Sequence, residues 1–215
     1  MEVLRLNPLT TRPWRISLAF IRLKSFLEAK NYFPKCSPIF LIFTLFNLVS
    51  PNSAVSQATS PEYKIKAVYL YNFIQFVDWP TNAFADAKSP LIIGVLGKNP
   101  FGMSLKETVE GEVVKGREIK VRNFENISEI KECHMLFISS SETPRLKSIL
   151  AALKGRSIFT VGETAGFAAE GGVLRFYNEN NKIRFRINLS AAKDGNLSLS
   201  SKLLQLAELV PTKKE

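Results

Sequence analysis

Leu91-Ile92-Ile93-Gly94-Val95-Leu96 runs six residues without a polar side chain and without alternation, which is the pattern of a strand covered on both faces. Two shorter runs of the same kind follow it, Met135–Ile138 (MLFI) and Ile158–Val161 (IFTV). Continuous apolar strands belong to parallel sheets whose two faces are packed by helices. Helical spacing fills the intervals, at Phe101–Val109 and at Pro144–Leu153. The second places Leu146, Ile149, Leu150 and Leu153 on one face, has a proline suited to a first turn, and is stopped by Gly155. The order predicts an α/β fold with a mainly parallel, Rossmann-like sheet and helices on both faces. Ile119–Phe124 (IKVRNF) alternates instead, and reads as a fourth strand nearer an edge.

Working outward, Glu62–Val77 (EYKIKAVYLYNFIQFV) contains neither Gly nor Pro and stops before Asp78-Trp79-Pro80, so it reads as a helix. From Ala67 to Val77 only Asn72 and Gln75 are strongly polar. Such a helix is either buried in the domain or offers a second face to a partner. Toward the C-terminus, Val173–Tyr177 and Ile183–Leu189 flank the turn-rich Asn178-Glu179-Asn180-Asn181. Ile183, Phe185, Ile187 and Leu189 alternate with Arg184, Arg186 and Asn188, which predicts a β-hairpin with one buried face and one wet, basic face. A closing helix is expected over Leu199–Val210, with Leu199, Leu203, Leu206 and Val210 as its stripe.

The start of the chain has a different character. Pro38–Val49 (PIFLIFTLFNLV) is a 12-residue apolar core preceded by Lys35 and followed by small residues ending Ser56-Gln57-Ala58. That is the layout of a secretory signal peptide cleaved after Ala58, and a membrane-spanning helix would need about 20 apolar residues. Residues 1–58 are therefore read as a leader, with an uncleaved anchor or an organelle transit peptide as the alternatives, and residues 59–215 as one mature, exported domain with no stable membrane insertion.

Composition narrows the chemistry. The chain has 215 residues, 29 Lys plus Arg against 19 Asp plus Glu, 46% hydrophobic residues, two Cys and one His, so it is an ordinary globular composition. Seven basic and two acidic residues fall in the leader, which leaves 22 basic and 17 acidic among the remaining 157. A net of +5 is a mildly basic surface and not a nucleic-acid footprint. No metal site and no cofactor are expected, because Cys36 lies in the leader and the rest holds only Cys133 and His134. Those two are adjacent on a strand and point to opposite faces, so they cannot pair as nucleophile and base. Gly97-Lys98-Asn99-Pro100-Phe101-Gly102 has the glycine spacing of a phosphate loop but carries Met103 where that loop needs its lysine. It reads as a strand-to-helix turn, with contact to a small ligand through its backbone N–H groups as the alternative.

Several blocks together resemble one family. Tyr69–Pro80 (YLYNFIQFVDWP), Ile93–Gly102 (IGVLGKNPFG), Cys133–Ser140 (CHMLFISS), Thr160–Gly166 (TVGETAG), Gly171-Gly172, Ile183–Asn188 (IRFRIN) with Ala191-Ala192, and Leu199–Ala207 (LSSKLLQLA) have the order and spacing of the YfiR-type periplasmic proteins. The resemblance spans nearly all of residues 61–210. It implies a non-enzymatic, exported repressor that binds the periplasmic sensor region of an inner-membrane diguanylate cyclase or a related membrane sensor, and so limits cyclic di-GMP and biofilm formation. A homodimer is left open. Members regulated through disulfides carry paired cysteines, whereas only Cys133 would remain here after cleavage.

An interface needs a buried aromatic anchor with a polar rim. The candidates for partner binding are therefore Tyr71, Phe73, Phe76 and Trp79, with the basic hairpin face at Arg184 and Arg186 next. The alternative reading is a periplasmic small-molecule sensor or carrier, using the loops at the strand ends: Gly97, Phe101 and Gly102, with Gly162, Phe167 and Gly172.

Overall fold

The computed structural model describes residues 59–210. The expected signal peptide, its apolar core and Cys36 lie outside the described residues. Helix α1 (Pro61–Gln75) begins with a proline at its first position and ends where the Phe76 N–H donates to the Phe73 carbonyl. A short strand β1 (Val77–Asp78) follows. Next come β2 (Leu91–Leu96), α2 (Ser104–Val109), β3 (Val113–Val114), β4 (Arg117–Phe124), β5 (Met135–Ile138), α3 (Leu146–Leu153) and β6 (Phe159–Gly162). The last third contains β7 (Leu174–Glu179), β8 (Lys182–Ile187), α4 (Leu189–Asp194), β9 (Ser198–Leu199), α5 (Ser201–Leu206) and β10 (Glu208–Leu209).

Eight strands form one sheet in the order β10-β8-β7-β6-β5-β2-β4-β3, and β1 pairs separately with β9. The α/β class holds, but the sheet is mixed, and a Rossmann-like description does not follow from it. Five neighbouring pairs run parallel, while β3 with β4 and β7 with β8 run antiparallel. The β7–β8 turn is made by Asn180 and Asn181, both with positive φ (49° and 58°), the backbone that a two-residue hairpin loop requires and that asparagine tolerates.

Strand parity divides the apolar residues between two cores. Leu91, Ile93 and Val95 of β2 and Met135 and Phe137 of β5 face α1, whose Ala67, Leu70, Phe73 and Ile74 are buried against them. Leu96, Leu136 and Ile138 face the other way, onto Leu146, Ile149, Leu150 and Leu153 of α3. Burying each such side chain contributes about 1.5–3 kcal/mol, so the four of α3 are enough to hold a two-turn helix that could not stand alone.

Most element ends lie within two residues of the sequence reading, and three differences have a structural reason. The helix expected from Phe101 starts at Ser104, because Phe101 is fully buried and Gly102 has positive φ, which interrupts the helical path. Pro144 lies in a 3₁₀ turn over Ser140–Arg145, ahead of α3. The closing helix is a correction: Leu199–Val210 is broken into β9, α5 and β10, since Leu199 pairs with Val77 and Leu209 with Ile187. Within that stretch Leu203 is buried, whereas Leu206 of the expected stripe is 70% exposed.

Candidate functional site

The candidates from the sequence fall into three places. On α1, Phe73 is buried in an aromatic cluster, stacked on Phe176 at 5.8 Å and edge-on to Phe185 at 4.9 Å. It is core and cannot form an exposed patch. Tyr71 and Phe76 are half-buried, and the Tyr71 hydroxyl donates to Glu112 at 2.7 Å. Trp79 is half-buried too, with its Nε1–H donating to the His134 carbonyl at 3.0 Å, so it anchors the chain after β1 to the sheet. The large apolar side chains of α1 that do face out are Ile65 and Val68, each about half exposed. They lie one turn apart on one side of the helix. Sequence reasoning passed over them in favour of the aromatics, although their three-residue spacing away from the buried set was a usable signal.

The second place is the outward side of the hairpin. Arg184 stands 3.6 Å from Glu179. Arg186 meets Glu208 at 2.9 Å and lies over the Tyr177 ring, while the Tyr177 hydroxyl donates to the same Glu208 at 2.8 Å. The hydrogen bond from Tyr177 comes first among the causes that hold the Glu208 carboxyl below its ordinary range, with Arg186 adding to it. Arg175 is the direct cross-strand neighbour of Arg186, and the Nε atoms of both are buried without a hydrogen-bond partner among the described residues. The basic face is thus partly neutralised by Glu208, which β10 delivers.

The third place is the end of the sheet where β2, β5 and β6 finish. Gly97 has φ of +84°, and a Cβ there would come within 2.5 Å of Ser141 Oγ. The neighbouring Lys98 N–H donates to that same oxygen at 3.0 Å. Phe101 is not a ligand contact: it is fully buried, edge-on to Phe137 and Tyr63. Gly102 remains exposed. At the second loop Phe167 is fully buried with its ring against both glycines. A Cβ at Gly162 would come within 2.4 Å of the ring and one at Gly172 within 2.1 Å. These glycines make room for a side chain of their own chain.

Between the first and third places lies a cluster that sequence reasoning missed. Lys66 is buried, with its ammonium 2.6 Å from Glu62 and 2.5 Å from Glu163, and it sits over the Tyr63 ring. The Tyr63 hydroxyl donates to the other oxygen of Glu163 at 2.7 Å. Burial foremost, then the bond to Glu163, raises the Tyr63 hydroxyl well above its ordinary pKa, and the Lys66 bond lowers Glu62. The Glu62-to-Lys66 spacing of four was legible as a helix pair. Glu163 was not, because it comes from the end of β6.

His134 and Cys133 have structural roles. His134 Nδ1 accepts from the Ile92 N–H at 3.0 Å, and Nε2 lies 3.0 Å from the Ala83 carbonyl, so Nε2 carries the proton. Both nitrogens are engaged by backbone, which leaves the imidazole no position from which to take a proton from a substrate. Burial pushes its pKa down. The Cys133 thiol is buried, its pKa pushed up to about 12 by that burial, and its Sγ contacts the Met135 carbonyl at 3.1 Å. It is neither ionised near neutral pH nor reachable by a second folded subunit. Among the described residues no three His, Cys, Asp or Glu side chains stand together as a metal site would need. No described helix is long and apolar enough to cross a membrane.

Comparison with known families places the chain. It belongs to the YfiR/HmsC-like family, which it matches over residues 63–208, from α1 through β10. No curated protein matches it.

Proposed function

We propose that this member of the YfiR/HmsC-like family is a periplasmic regulator: exported, freed of its leader after Ala58, and acting by binding the periplasmic region of an inner-membrane diguanylate cyclase to hold that enzyme inactive. The observation that carries this reading is the family match across the whole sheet and α1. Two features agree with it. Each nitrogen of the lone imidazole is occupied by backbone, so His134 is not placed to act as a general base. And α1, with its buried face set in the core, turns Ile65 and Val68 outward.

On this reading the partner surface is the outward side of α1, flanked by the accessible edges of Tyr71, Phe76 and Trp79; Arg184 and Arg186, which alternate with the Phe185 and Ile187 that face α1, lie on the opposite face of the sheet and form a separate, second candidate. Phe73 supports that surface from beneath.

The test is a deletion of the gene in its own host, with cyclic di-GMP measured by mass spectrometry. Loss of the protein raises cyclic di-GMP and surface adhesion, and restoring the wild-type chain lowers both. Unchanged cyclic di-GMP in the deletion strain refutes the reading. Sequencing the N-terminus of the protein recovered from the envelope tests the leader, and a chain still beginning at Met1 contradicts cleavage.

A further inference from the structure

β2 is the strand at which the sheet order reverses, with β4 on one side and β5 on the other. In open α/β sheets the crevice outside the carboxyl ends of the strands at such a point is where ligands are held. Here that crevice is a cavity of about 520 Å³ lined by Tyr63 and Thr59 at the start of α1, by Lys98 after β2, and by Ser139, Ser140 and Ser141 after β5. Its chemistry separates it from two other cavities among the described residues. Those are lined in part by Glu170 and Asp194 and by Asp78 and Asp86, whereas none of the described residues lining this one is acidic. Lys98 takes part in none of the six ion pairs among the described residues. The hydroxyls of Thr59, Tyr63 and Ser141 donate to the Phe101 carbonyl, Glu163 and Glu142, so among the described residues Ser139 and Ser140 are left to donate beside an ammonium that has no carboxylate partner, which is a setting for an anion.

Thr59 adds a second charge. Its hydroxyl donates to the Phe101 carbonyl at 2.8 Å, which fixes it at the crevice wall. Cleavage after Ala58 would make Thr59 the first residue and leave its α-ammonium in the lining. We propose that the crevice binds a small anionic metabolite through a carboxylate or phosphate group, with Lys98 as one cation and the Thr59 α-ammonium, created by removal of the leader, as the other. The Lys98 half stands independently of the regulatory reading, while the Thr59 half rests on the cleavage that reading includes.

The full chain is expressed in an exporting host, recovered from the envelope, N-terminally sequenced, and titrated calorimetrically with sulfate, a tetrahedral dianion standing for a phosphate group, and with succinate. Saturable binding of one of them is expected, weakened about tenfold by Lys98→Ala and retained by Lys98→Arg. Preference for sulfate assigns a phosphate-bearing ligand, preference for succinate a carboxylate. An α-amino group titrates near about 8, so affinity falls up to about tenfold between pH 7 and 9. A variant whose cleavage is blocked by Ala58→Arg keeps the Lys98 dependence and loses that pH dependence. No saturable binding of either anion, or binding indifferent to Lys98→Ala, overturns the site. An N-terminus other than Thr59 overturns the role of the α-ammonium, and the Lys98 comparison then decides the crevice alone. Unchanged cyclic di-GMP in a deletion strain bears on neither titration.

Discussion

The Lys66 ammonium, almost wholly buried, lies 2.5 Å from the carboxylate of Glu163, a residue 97 positions later at the end of β6. With Glu62 and the Tyr63 hydroxyl it locks the first turns of α1 to the sheet. Removing one partner of a buried pair strands the other without compensation, at a cost of about 3–5 kcal/mol. Lys66→Ala should therefore destabilise the protein by that order in urea unfolding. Lys66→Met combined with Glu163→Gln should recover a substantial part of the loss, because the buried Glu163 charge is removed with its partner while the more exposed Glu62 is left to solvent. Equal destabilisation by the single and the double variant would show that packing, and not the pair, holds this corner.

Phe167 and Gly172 offer a second test. Gly172→Ala places a methyl group within 2.1 Å of a fully buried ring, which must shift or be expelled. Overpacking of this kind costs about 1–3 kcal/mol, and Phe167→Ala, which leaves a cavity, about 3–5 kcal/mol. Denaturant midpoints for the two variants measure this. A Gly172→Ala protein as stable as wild type would return these glycines to the list of ligand contacts.

His134 links stability to pH. It is folded in its neutral form, with Nδ1 accepting from Ile92, its ring stacked on Phe84 at 4.2 Å, and the Arg117 guanidinium on the Phe84 ring. Burial depresses its pKa, Arg117 adds to the depression, and the Ala83 carbonyl and Glu132 oppose it. The unfolded chain, titrating near about 6.5, binds the proton more readily, so this contribution is present above about pH 6.5 and lost as pH falls from there toward the depressed folded value. Unfolding free energies measured from pH 7.5 to 5 should fall for wild type. His134→Gln, weaker at neutral pH, should show a flatter slope over that window.

Val68 and Phe73 sit on opposite sides of α1 and should fail in opposite ways. Val68→Glu leaves the denaturant midpoint nearly unchanged, since the side chain is about half exposed, yet raises cellular cyclic di-GMP toward the deletion level. Phe73→Ala lowers stability by about 3–5 kcal/mol through loss of the aromatic cluster. Normal repression by a folded Val68→Glu variant would move the interface off this face, with Arg184 and Arg186 next in line.

Much of this architecture is written locally in the chain. Leu91–Leu96 and Met135–Ile138 are strands with the bounds their apolar runs suggest, because a run buried on both faces needs no knowledge of its neighbours to be recognised. The hairpin follows from two asparagines between alternating strands, and α1 from an uninterrupted stretch between two prolines. The order of the family's blocks is likewise a property of the linear sequence. Tertiary structure alone decided the rest. Leu199–Val210 has helical spacing, yet its ends are taken as strands by β1 and β8, whose backbone groups require partners. Phe73 and Phe101 looked available for recognition until packing buried them, and Gly162 and Gly172 looked like ligand loops until Phe167 filled the space between them. Glu163 became the counter-charge of Lys66, and the crevice beside Lys98 acquired its hydroxyl wall, only when the ends of β2, β5 and β6 met. Spacing along a chain records which face a residue shares with its near neighbours; it carries no record of what the opposite face meets a hundred residues later.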